Sequence, residues 1–403
     1  MINILGKTTA NISGSQDHYR VMAVDDSAVI RGLLTRALEG DAEIRVVSSV
    51  GDGQMAINSL QRNEVDVIVL DIEMPVMDGL TAIPKLLAIL PSVKIIMAST
   101  LTLKNADVSL RALSLGAADY IPKPTSTREI SGAENFRLEL VSKVKALGLS
   151  ARRGIRPRVD VRSKVITPPN VPIPLPPSRR PGMPSLSGSS LSRLRGDAST
   201  VALRPFTNPI RPDIIAIGSS TGGPQALFEV LSHLKDGVTQ PIIITQHMPA
   251  TFTTILAEHI SRQCGINCAE AKDGDAVVEN RTFVAPGDYH MILANRGGGV
   301  VVTLTKDPPE NFCRPAVDPM MRSMVKIYGR KILAVILTGM GQDGLKGCQD
   351  VVQAGGIVIG QDEPSSVVWG MPGAVATAGL CSAVLPLKEI GPYIRKLALR
   401  TAA

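Results

Sequence analysis

Three short apolar runs in the second half of the chain constrain its fold most: Asp213 to Ile217 (DIIAI), Pro241 to Thr245 (PIIIT) and Ile332 to Leu337 (ILAVIL). β-Branched runs without polar alternation read as strands buried on both faces, the pattern of a parallel sheet. Each run ends in a polar loop: Gly218-Ser219-Ser220-Thr221-Gly222-Gly223, Gln246-His247-Met248-Pro249 and Thr338-Gly339-Met340-Gly341-Gln342-Asp343-Gly344. In an open parallel sheet the site lies outside the carboxyl ends of the strands, where residues distant in sequence converge. Ser220, His247 and Asp343 are therefore expected at one site, as nucleophile, general base and orienting acid of a serine hydrolase.

A chain of 403 residues predicts two domains. The boundary is a Pro/Arg/Ser-rich linker over residues 141–208, preceded by a first domain at 19–140 and an extension at 1–18, and followed by a second domain at 209–398. The bias is densest in 151–208, which holds ten prolines and eleven Arg/Lys against two Asp. That segment carries +9, so the rest of the chain is about −2 and the net +7 belongs to a solvated spacer rather than to a folded basic face. No nucleic-acid partner is expected, because the arginines lack interleaved aromatics. Five cysteines without CxxC spacing argue against disulfides and zinc, and for a reducing cytoplasm. No signal peptide and no run long enough for membrane insertion is read.

Before the linker, β-type runs alternate with helical patterns, which implies βαβ units. Asp25 and Asp26 end the first strand and Asp71 the third, crowding three carboxylates at one sheet edge. A hard divalent cation relieves such crowding, and Mg²⁺ suits a site of few carboxylates plus phosphate oxygens. A carboxylate held there can become an aspartyl phosphate. Ser99 ends the fourth strand with a hydroxyl for a phosphoryl oxygen, and Lys123 follows the fifth with a point charge.

In that order these residues, with Leu70-Asp71-Ile72-Glu73-Met74-Pro75-Val76-Met77-Asp78-Gly79, closely resemble a two-component receiver domain over residues 20–140. The resemblance implies a flavodoxin-like fold, phosphorylation of Asp71 by a sensor histidine kinase, and Mg²⁺ held by Asp25, Asp26, Asp71 and the backbone carbonyl of Glu73. It makes Ser99 the switch hydroxyl, ahead of Thr100, and Lys123 the phosphate-contacting lysine.

After the linker, Gly218-Ser219-Ser220-Thr221-Gly222 fits G-x-S-x-G, a tight strand-to-helix turn that exposes a nucleophile. Such a turn also serves as a phosphate cradle, and a dinucleotide site would want an acidic residue at the end of the next strand. That strand delivers Gln246-His247 instead, and histidine is what a serine nucleophile needs. Backbone N–H groups of Thr221 and Met340 are candidate oxyanion donors. His290 is a candidate cleft residue and Arg314 stands evenly between substrate contact and loop salt bridge, while His18, His233 and His259 read as ordinary side chains. Thr282–Ala285 and Val300–Leu304 read as an antiparallel hairpin.

Residues 209–398 resemble the catalytic domain of the chemotaxis protein-glutamate methylesterases through the same three strand-end stretches. The resemblance implies a doubly wound, mostly parallel α/β domain without a cofactor, acting on the cytoplasmic domains of methylated chemoreceptors. It also implies deamidation of glutamines.

Overall fold

The computed structural model describes residues 18–99, 102–123, 130–153, 201–205 and 210–399. Thr100, residues 1–17 of the extension and most of the linker (154–200) lie outside these.

The first unit is a five-stranded parallel sheet of β1 (Tyr19–Val24), β2 (Ile44–Val50), β3 (Val67–Asp71), β4 (Lys94–Ser99) and β5 (Asp119–Pro122). Its order, β2-β1-β3-β4-β5, is the flavodoxin-like winding. It carries helices α1 (Ala28–Glu39), α2 (Gly53–Leu60), α3 (Gly79–Ile89), α4 (Leu103–Ser114) and α5 (Ile130–Arg153). Ser27, Asp52 and Asp78 cap α1, α2 and α3 by accepting from Ile30, Met55 and Thr81 amides. The expected linker start at 141 falls inside α5, which continues to Arg153 because Leu140, Val144, Leu147 and Ala151 bury one helical face.

The second unit is a seven-stranded sheet of order β14-β13-β12-β6-β7-β9-β8, with every pairing parallel. The three apolar runs form its centre as β6 (Ile214–Ser219), β7 (Ile242–Gln246) and β12 (Ile332–Ile336). Around them lie β8 (Cys268–Glu270), β9 (Thr282–Val284), β13 (Ile357–Gln361) and β14 (Ala383–Leu385). Ile215 and Ile217 face one core layer while Ile214 and Ala216 face the other, so helices cover both faces. These are α6 (Gly223–Ser232), α7 (Ala250–Cys264), α8 (Val317–Tyr328), α9 (Leu345–Gln353), α10 (Met371–Thr377) and α11 (Leu387–Ala398). The expected hairpin is corrected: Thr282–Val284 joins the main sheet beside β7. The hairpin instead pairs β10 (His290–Arg296) with β11 (Gly299–Thr305). Gly297 and Gly298, at φ +59° and +87°, make the two-residue turn that fixes it.

The first unit packs on the second through α4 and β5 against α6 and α7. Tyr120 stacks on Phe252 with ring centroids 4.3 Å apart. Gln225 Nε2 donates to the carbonyls of Leu113 (3.1 Å) and Ala117 (2.6 Å). Thr221 Oγ1 donates to Asp119 Oδ2 at 2.6 Å. The buried His259 bonds Asp107 of α4 at 2.8 Å, so it is an interdomain contact rather than an ordinary surface side chain.

Candidate active site

Strand register brings the three loops together. Ser219 pairs with Gln246 across β6 and β7, and Gly218 with Ile336 across β6 and β12. The backbone continues the pairing beyond the strands: His247 N donates to Ser219 O at 3.1 Å and Ser220 N to Thr338 O at 3.0 Å. Gly222 takes φ +75° to turn the chain into α6, a conformation a side chain would strain. Gln246 clamps the turn, accepting from Ser219 Oγ (2.7 Å) and donating to Ser220 O (2.9 Å). A Cβ on Gly223 would lie 1.9 Å from Gln246 Oε1. Gly223→Ala is therefore expected to cost about 1–3 kcal/mol by overpacking, read as a lower midpoint in denaturant unfolding, and to slow turnover.

His247 Nε2 meets Asp343 Oδ2 at 2.7 Å. Asp343 is buried and heavily bonded: it accepts from Asn311 Nδ2 (2.9 Å) and from the amides of Val317 (2.6 Å), Asp318 (3.2 Å) and Gly344 (3.0 Å). Burial pushes its carboxyl up, but the His247 bond and the amides outweigh this and hold it below the ordinary carboxylate range. Burial likewise disfavours a charged His247, yet the contacts with Asp343 and Cys313 win and its pKa is raised. With Nε2–H committed to Asp343, Nδ1 is the basic nitrogen. It lies 3.4 Å from the Cys313 thiol, and the Ser220 hydroxyl makes no protein hydrogen bond among the described residues. The amides of Thr221 and Met340 donate to no backbone acceptor among the described residues outside helices and strands, while Gly339 N is committed to Val368 O.

His290 is corrected. It is buried, bonded at Nε2 to Pro308 O (3.1 Å) and at Nδ1 to Ala316 N (3.2 Å), and so braces the loop beneath the site instead of lining a cleft. Arg314 holds the carbonyls of Lys306 and Asp307 on the same loop. Asn311, Cys313, Gln246 and Thr338 escaped sequence reading as participants. Of these, only Gln246 and Thr338 carried a signal, being polar residues at the ends of apolar runs.

At the receiver's sheet edge, one ligand oxygen from each of Asp25, Asp26 and Asp71 lies within 4.8 Å of the others, which fits a divalent cation. Lys123 Nζ bridges Asp25 (2.6 Å) and Asp71 (2.7 Å). Burial raises the Asp71 carboxyl, Lys123 opposes that, and Asp25 adds to it. Ser99 is buried at the end of β4, its hydroxyl 3.1 Å from that of Ser109 on α4. Glu73 is exposed in the bend after β3, and its side chain is not part of the carboxylate cluster.

A cluster of three carboxylates and a lysine at the edge of one sheet and a histidine–carboxylate pair beside a G-x-S-x-G turn in the other are the features of a response regulator with a hydrolase output. The family model described as CheB methylesterase matches residues 215–394, and that of the response regulator receiver domain matches 21–133. The chain is 69% identical over 393 residues to a protein-glutamate methylesterase/protein-glutamine glutaminase of Azospirillum brasilense, covering 96% of this chain and 94% of that one. It is 64% identical over 404 residues to one of Rhodospirillum centenum, covering 99% of each. The catalytic domain of the Thermotoga maritima CheB methylesterase is 40% identical, covering 47% of this chain and all of that one, with a TM-score of 0.45. The chain belongs to the CheB methylesterase family, with a receiver domain ahead of the catalytic one. No helix among the described residues is long and apolar enough to cross a membrane.

Proposed function

We propose that the chain demethylates glutamyl methyl esters on the cytoplasmic domains of chemoreceptors, and deamidates their glutamines, as the adaptation enzyme of a chemotaxis pathway. The observation that carries this reading is His247, fixed by Asp343 on one side and bonded through its backbone to the residue before Ser220. Ser220 Oγ attacks the ester carbonyl and yields its proton to His247 Nδ1. That proton then leaves with methanol, or with ammonia when the substrate is glutamine. Water deprotonated by the same nitrogen hydrolyses the acyl-enzyme to glutamate. Amides of Thr221 and Met340 are assigned to the oxyanion. Nδ1 must exchange Cys313 for the serine hydroxyl during this sequence.

In the receiver, Asp25, Asp26, Asp71 and the Glu73 carbonyl would hold Mg²⁺. When bound, that ion neutralises charge as Asp71 takes a phosphoryl group from a histidine kinase. Lys123 and Ser99 are assigned to the phosphoryl oxygens, which for Ser99 requires leaving Ser109. Asp119 grips the residue next to Ser220, so the receiver restrains the catalytic turn until phosphorylation loosens the contact.

Methanol release from methylated receptor membranes, with and without a phosphodonor, tests the reading. Release from another esterified protein but not from receptors would redirect it. Deleting residues 1–153 is expected to raise basal turnover several-fold, and Asp71→Asn to abolish the response to phosphodonor. Unchanged or lower activity in the deletion would reject restraint by the receiver.

A further inference from the structure

Phe312 stands fully exposed, at 103% of its reference surface, in a turn built into the catalytic apparatus. Glu310 and Cys313 pair through both backbone hydrogen bonds (3.1 and 2.9 Å), leaving Asn311 and Phe312 as a two-residue loop. Both take positive φ, +52° and +64°, the geometry of a type I′ turn. Asparagine is common at the first of these positions, whereas the second favours glycine and strains an aromatic side chain. The turn is clamped on three sides. Asn311 donates to Asp343 and Asp318, Cys313 contacts His247, and Glu310 pairs with Arg322. The backbone that carries a large apolar ring is thus clamped, at conformational cost, next to the residue that contacts the base.

Resting on the site assigned above, we infer that Phe312 docks the protein substrate. Its ring packs on an apolar side chain neighbouring the esterified glutamate. Only two methylenes separate a glutamyl backbone from its ester carbon, so the substrate surface must come down to the rim of the site. A projecting rim residue then necessarily meets it. A backbone already fixed by its clamps leaves only the two side-chain torsions of the ring to be ordered on docking, which favours affinity over rate.

The test uses Phe312→Gly in the full-length, phosphodonor-activated enzyme. Glycine accepts the positive φ, so the turn and its clamps persist. KM for methyl-esterified receptor membranes is expected to rise about tenfold or more, the worth of one buried aromatic, with kcat changed less than about twofold. Phe312→Leu is expected to fall between the variant and the wild type. Labelling of Ser220 by a small fluorophosphonate reads the catalytic set without any docking surface, and its rate is expected to stay level. An unchanged KM overturns the docking role while leaving the site assignment intact. A parallel fall in kcat and in labelling overturns it in favour of a structural role. Failure of the wild type to label at Ser220 overturns both the inference and the assignment it rests on.

Discussion

Ser220→Ala is expected to cut methanol release by about 10⁶-fold, the loss seen when the nucleophile of a cooperating triad is removed. Phosphorylation at Asp71 should persist, because its carboxylates and Lys123 belong to a separate sheet edge. The parallel measurements are methanol release and phosphoryl incorporation on one preparation. The experiment is pointed because His247 Nδ1 faces a second nucleophile, the Cys313 thiol. Wild-type turnover in Ser220→Ala would move the nucleophile to Cys313. Loss there, with measurable turnover in Cys313→Ala, keeps it at Ser220.

Asp343→Asn is expected to lower kcat by about 10⁴-fold, because an amide no longer fixes the imidazole tautomer or balances its charge. It should also move the pH profile. In the native enzyme burial lowers the His247 pKa but the Asp343 and Cys313 contacts more than reverse this. A base with a raised pKa is protonated, and idle, over more of the pH range. Activity should therefore climb with pH through values above the ordinary histidine range of about 6.5. Without the carboxylate the ascending limb should shift to lower pH, read from kcat/KM, which titrates the free enzyme. A limb that stays in place would mean His247 is not the titrating base.

The first sheet and the three central strands of the second were legible because parallel strands buried in a sheet leave short β-branched runs, whereas β8, β13 and β14 were not singled out. A run such as Ile332 to Ile336 does not alternate and is too short for a buried helix, so its length and β-branched content mark it as a strand. Strand ends were legible for the same reason, since topology puts them on one edge. What escaped depends on contacts that no local pattern encodes. His259 is buried because Asp107, 152 residues away in the other domain, bonds it. Thr282–Val284 satisfies a hairpin by composition, but the Gly297–Gly298 turn gives β11 a nearer partner. Asn311 and Cys313 enter the site through a loop whose path is set by its clamps, and α5 runs past the expected linker start at 141 on a face shown only by packing against the sheet.

The chain's single tryptophan, Trp369, sits where the two units meet the catalytic loop. Its backbone bridges Gly339, its indole N–H donates to Gln361 O at 2.8 Å, and Val367 and Val368 just before it pack against the receiver core. The enzyme thus carries an intrinsic optical probe at the junction between switch and chemistry. Its emission is uncontaminated by any second indole, so domain uncoupling can be followed in real time on unlabelled protein.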